Sequence, residues 1–156
     1  MKKILSVLIL TVTVAIGCSS SKATANEATA KKGEGLEFEY TAITRGRYRQ
    51  INVTANGVAL IEKPNATPTT VAISTTDWNA LVDFYEKKVA KNVQNLNTIE
   101  VPSKKHQFDG ALAATLTIKS GDTAYTTPTF DHGNPPAEVK VLVDKIIELA
   151  GIETRK

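Results

Sequence analysis

Two histidines and a few acids hold most of the chemistry this chain can offer. His106 stands in Lys104-Lys105-His106-Gln107-Phe108-Asp109, and His132 in Phe130-Asp131-His132-Gly133-Asn134. Imidazole and carboxylate together can ligate zinc or pass a proton. His106, Asp109, Asp131 and His132 are therefore the set from which a metal or hydrolytic site would be drawn. No His-x-His or His-x-x-x-His spacing places two imidazoles on one face of an element, so no metal or other cofactor is expected. The plainer reading is that Asp131 and Asn134 organise a turn, with His132 partly exposed. Nucleophilic catalysis has less behind it. There is no Gly-x-Ser-x-Gly elbow and no Gly-rich phosphate loop, and the single cysteine lies at position 18. The chain reads as non-enzymatic.

A second cluster is basic. Arg45, Arg47, Tyr48 and Arg49 can clamp an acidic group on a peptide, a lipopolysaccharide or a partner protein, because guanidinium pairs with carboxylate or phosphate in two places at once. The plainer alternative is a solvated strand end whose arginines pair with Glu37, Glu39 and Glu62. If the chain has a binding surface, this cluster is where the sequence puts it.

The elements that must position these residues are legible in the spacing of apolar side chains. Leu36, Phe38 and Tyr40 alternate with Glu37, Glu39 and Thr41, the period of a half-buried strand that Arg45-Gly46-Arg47 turns. Tyr48–Thr54 and Val58–Ile61 flank Ala55-Asn56-Gly57, and Asn-Gly marks a tight hairpin. A loop over 63–70 carries Pro64 and Pro68, and Val71–Ile73 is a short extended piece. Ser74 then caps a helix, with Asp77 reaching back to it. Trp78, Leu81, Val82, Tyr85 and Val89 form its apolar stripe, and it fades near Lys91-Asn92. Residues 92–110 read as a loop pinned by Val93, Leu96, Ile99 and Val101. Ala111–Lys119 and Thr123–Phe130 form a second hairpin around Ser120-Gly121-Asp122. Asn134-Pro135-Pro136 opens a second helix, striped by Val139, Leu142, Val143, Ile146, Ile147 and Ala150 and ended by Gly151. The expected fold class is α+β: an antiparallel sheet of about five strands with two helices packed on one face.

The first forty residues concern location. Lys2 and Lys3 precede an apolar run from Ile4 to Ile16, which ends at Gly17-Cys18. As a helix the run spans about 20 Å, short of the bilayer core of about 30 Å. It has the form of a secretory signal. This stretch resembles the lipobox signal of bacterial lipoproteins, although Ala15 stands where that family more often has leucine. The resemblance implies removal of residues 1–17 and attachment of a diacylglyceryl group and a further acyl chain, such as palmitate, at Cys18. Two or more chains anchor stably where one does not. Ser19 and Ser20 follow, without the aspartate that retains enterobacterial lipoproteins in the inner membrane, and this favours the outer membrane.

Residues 19–35 have no large apolar side chain and cannot offset their ordering entropy, so 18–35 is expected to be a lipidated cysteine and flexible tether. Residues 36–156 are then a single domain, of ordinary size for one core. With one cysteine, and that one lipidated, the domain holds no disulfide. Of 19 basic and 16 acidic residues, the signal removes Lys2 and Lys3 and no acid, leaving a net charge of +1. That balance gives no basic face for nucleic acid.

The partners expected are thus the membrane, through Cys18, and an envelope protein. The preferred reading is a lipid-anchored, non-enzymatic binding or scaffolding domain of the cell envelope and periplasm. In outline it resembles the small envelope lipoproteins common in Bacteroidetes. One alternative is an inhibitor of an envelope lysozyme or protease, acting through loop 63–70 or 102–109. The other is the metal or hydrolytic site drawn from the four residues above. Asp122-Thr123-Ala124 also resembles the short O-glycosylation pattern of exported Bacteroidetes proteins. Asn52-Val53-Thr54 and Asn65-Ala66-Thr67 match the N-glycosylation pattern, read as coincidence in a bacterium.

Overall fold

A computed structural model describes residues 32–152 of the chain. The expected signal, the expected attachment site at Cys18 and residues 19–31 of the expected tether lie outside the described residues. Seven antiparallel strands form one sheet: β1 (Leu36–Thr44), β2 (Arg47–Thr54), β3 (Gly57–Ile61), β4 (Thr69–Val71), β5 (Ala113–Ser120), β6 (Thr123–Thr126) and β7 (Phe130–Asp131). Their order is β4-β3-β2-β1-β5-β6, with β7 beside β5. Two helices, α1 (Thr75–Phe84) and α2 (Lys140–Leu149), complete the α+β fold.

The register explains which face is covered. Phe38 lies opposite Val53 and Ile118, and Tyr40 opposite Ile51 and Leu116. Side chains two apart share a face, so these residues form one apolar surface, and all are fully buried beneath the helices. Phe38 meets Trp78 and Tyr85 edge to face, each ring centroid 5.9 Å away. The opposite face carries Glu37, Glu39, Thr41, Gln50, Asn52, Thr115 and Thr117, all half-buried and open to solvent. Two strands beyond the expected five are β4 and β7, too short to show a period of their own.

Several boundaries differ from the sequence reading. The first hairpin forms, but its two loop residues are Ala55 and Asn56, since Thr54 pairs with Gly57. Glycine is needed at 57 because a Cβ there would stand 2.9 Å from the Val71 carbonyl oxygen of β4. The short extended piece is β4, ending at Val71 rather than beginning there.

Helix α1 is capped as its residues dictate. Asp77 N–H donates to Ser74 Oγ at 3.0 Å, and Ser74 Oγ donates to the Asp77 carboxylate at 2.6 Å. The chain then widens into a π turn over Tyr85–Val89 and tightens into a 3₁₀ helix over Ala90–Thr98. This replaces the expected loop from 92. A 3₁₀ helix has three residues per turn, and Ala90, Val93, Leu96 and Ile99 recur at that interval on its core face.

Helix α2 begins at Lys140, six residues after the expected cap. Proline disfavours the helical region for the residue before it, so Asn134 and Pro135 stay out of the helix. Asn134 instead bridges to Asp131. Its end is as expected: Gly151 is left-handed at φ 68°, its N–H reaches Glu148 O, and Ile152 N–H reaches Ile147 O.

The tether also ends earlier than residue 35. Trp78 Nε1 donates to Lys32 O at 2.6 Å, and the Lys32 ammonium pairs with Asp83 and Glu86. A Cβ on Gly33 would meet Val82 at 2.6 Å, so the backbone lies directly on α1. This docking uses a carbonyl and an ammonium rather than an apolar side chain, which is why composition misses it.

Candidate functional site

Asp131 is the centre of the polar structure in this domain. It ends β7, is only 2% exposed, and its neighbour Phe130 is buried in the core. Burial alone would raise the pKa of such a carboxyl. The hydrogen bonds it accepts outweigh that and hold it well below the ordinary carboxylate value, so it is ionised. Ser103 Oγ donates to Oδ2, with Lys105 N–H on the same oxygen at 2.9 Å. The His106 N–H donates to Oδ1 at 2.7 Å, and the His106 ring meets Oδ1 through Nδ1 at 2.6 Å. Asn134 Nδ2 donates to Ser103 Oγ at 2.8 Å and closes the network. One carboxylate thus ties the segment 103–106 to the sheet.

An ionised carboxylate can only accept, so Nδ1 of His106 carries a proton and donates it to Oδ1. Nε2 has no protein partner among the described residues, and no unpartnered side-chain polar atom there is buried. Nε2 is therefore accessible, although the side chain as a whole is 9% exposed. His106 is one of the residues lining a cleft of about 460 Å³. Ile99, Val101 and Pro128 supply its apolar lining, while Glu100, Lys104, Gln107 and Thr129 supply polar groups. Its volume falls in the range of small-ligand sites.

This arrangement is not a catalytic triad. A Ser–His–acid relay needs the hydroxyl on the imidazole and the acid behind it. Here Ser103 and His106 both bond the same carboxylate, and Ser103 Oγ spends its proton on it.

The four residues of the metal alternative are not brought together. His106 turns to Asp131, whereas His132 Nδ1 meets Tyr40 OH at 2.6 Å. Asp131 and His132 are consecutive at the end of a strand and serve opposite sides of the sheet. Asp109 ends the 3₁₀ turn Lys105–Phe108 at φ 56°. Among the described residues no three His, Cys, Asp or Glu side chains form a group able to hold a metal ion.

The basic cluster is divided in the same way. Arg49 lies opposite Ala42, on the helix-bearing face, while Tyr48 lies opposite Ile43 on the open face. Arg49 pairs with Glu62 at 3.7 Å, and Tyr48 OH donates to Gln50 Oε1 at 2.6 Å. Glu37 and Glu39 pair with Lys119 rather than with an arginine. Arg45 and Arg47 are exposed at the strand turn, and Arg47 shares the face of Arg49, so alternation separates Tyr48 from the arginines.

Sequence reasoning missed two participants. Tyr40 was legible only as core, yet a buried tyrosine needs a partner for its hydroxyl, and that requirement pointed to a polar residue opposite. Burial pushes its phenol well above the ordinary value and lowers the imidazole of His132, with the positive charge of Arg49 lowering both. Both groups are neutral, and the hydroxyl and Nδ1 share one hydrogen bond. Ser103 carried no signal at all. Comparison with protein-family models, with curated proteins and with solved structures finds no match to this chain.

Proposed function

We propose that this protein is a lipoprotein of the bacterial cell envelope, anchored through Cys18, in the outer membrane rather than the inner. Its folded domain binds a ligand or partner without transforming it. The signal-like run Met1–Cys18 supports the anchoring. Among the described residues no helix is long and apolar enough to cross a membrane, so on this reading the lipid is what holds the domain. The described residues begin at Lys32, fourteen positions beyond Cys18, so on this reading the anchor keeps the domain near the bilayer.

The observation that carries the binding reading is the Asp131 network. It spends its hydrogen bonds on fixing a loop and one imidazole edge beside a cleft, and it leaves no hydroxyl in contact with a base. Fixing a loop before its ligand arrives lowers the ordering cost of binding. The test is cell fractionation of the wild type and Cys18→Ser, with globomycin-type inhibition of the signal peptidase as a second arm. The reading requires wild type in the membrane fraction and the variant uncleaved or released.

A second reading, inhibition of an envelope hydrolase, is favoured by one feature. The same network holds the loop 102–109, and Phe108 on it is 84% exposed. A rigid loop with a projecting aromatic is the form an inhibitor takes when it fills an enzyme's specificity pocket. Retention of a lysozyme or protease by wild type but not by Phe108→Ala distinguishes this reading.

A further inference from the structure

We infer that the cleft beside His106 is a recognition site for a zwitterion, an α-amino acid or short peptide with an aliphatic side chain. The inference rests on the binding reading above and names its ligand class. Three properties of the lining lead to it. First, the cleft carries both signs of charge: Glu100 is its acid and Lys104 its fixed cation. Second, His106 lines the cleft and its ring is held by a buried carboxylate, so its orientation is set before a ligand arrives. Third, Ile99, Val101 and Pro128 give the cleft an apolar part.

A ligand complementary to all three has an ammonium, a carboxylate and a hydrocarbon. The ammonium pairs with Glu100, beside the His106 ring. The carboxylate pairs with Lys104, and the side chain covers Ile99, Val101 and Pro128. A dianion or phosphate ester is disfavoured, because it would meet the Glu100 carboxylate. A cation without a carboxylate would leave Lys104 facing it. The volume of about 460 Å³ admits one amino acid or a short peptide, and no large polymer segment.

The test is titration of the mature chain in detergent with L-leucine and leucyl-leucine, following the His106 ring resonances by NMR. N-acetyl-leucine and leucinamide, each lacking one charge, are the controls. Free leucine or the dipeptide should move the His106 signals at millimolar concentration. Each blocked form should bind at least about tenfold more weakly, the loss expected for one charged hydrogen bond. Glu100→Gln should erase the preference over N-acetyl-leucine, and Lys104→Gln the preference over leucinamide. Both positions are exposed, so these variants keep the fold.

Blocked forms that bind as well as free leucine would overturn the zwitterion assignment, and so would no movement with any of the four. Either result leaves membrane anchoring at Cys18 as it was, because fractionation reads that separately. Retention of a hydrolase through Phe108, with silent His106 signals, would replace this site with the inhibitor loop.

Discussion

Replacing Asp131 with alanine tests whether that carboxylate holds the fold or is held by it. The side chain accepts from Ser103 Oγ, from two backbone N–H groups and from the His106 ring. Hydrogen bonds to a charged group are worth about 1.5–3 kcal/mol each in the net, so four of them set an upper bound. Most of that bound is not lost. Lys105 is exposed and its N–H regains water, and the Ser103 hydroxyl keeps Asn134. The uncompensated loss is at His106, whose ring and N–H sit against the vacated space. Removing one member of a buried charged network costs about 3–5 kcal/mol. With the surface groups rehydrated, a loss of about 2–4 kcal/mol follows.

Urea unfolding followed by the fluorescence of Trp78 measures it, as a lower midpoint with unchanged slope. Asp131→Asn should fall between, since its oxygen still accepts but its amide faces donors. A loss below about 1 kcal/mol would refute the account of a loop clamp, and a gain in stability would refute it more strongly. A carboxylate kept for chemistry at the expense of the fold gives that second result.

The same groups set the response to acid. The imidazole of His132 lies below its ordinary 6.5 because of burial and then the charge of Arg49. On acidification from 6.5 the unfolded chain takes a proton that the folded chain refuses, so stability falls. Asp131 lies below its ordinary 3.8, and a second loss begins near that value as pH drops further. Urea midpoints measured from pH 8 to pH 3 should show both, with His132→Gln removing the upper one; a flat profile between pH 7 and 5 contradicts it. Tyr40→Phe leaves Nδ1 of His132 without its partner and should cost about 1–2 kcal/mol, read in the same assay. Trp78→Phe removes the hydrogen bond to Lys32 O, so trypsin should cut after Lys32 at doses that leave the wild type whole there.

The sheet was readable from its residues because one face is buried and the other wet, so Phe38, Tyr40, Ile51, Val53, Leu116 and Ile118 announce themselves by alternation. Helix α1 was readable for the same kind of reason, through Ser74 and a stripe that ends in the core. What did not show was anything whose cause is distant in sequence. The 3₁₀ helix over Ala90–Thr98 has a three-residue apolar interval that reads as loop until it is laid along the core. Asn134 looked like a cap, but Ser103, 31 positions away, takes its side chain. For the candidate site, His106 and Asp131 were identifiable as the residues with chemistry, but their pairing depends on a contact across 25 positions. Tyr48 stands between Arg47 and Arg49 in sequence, and strand alternation puts it on the opposite face from both.

The most direct measurement is the intact mass of the mature protein taken from the membrane fraction of its own host. A chain beginning at Cys18 and heavier than its amino acids by a diacylglyceryl group and an acyl chain is the predicted result. An unmodified chain with a different first residue, recovered without detergent, would contradict the anchoring on which the proposed function stands.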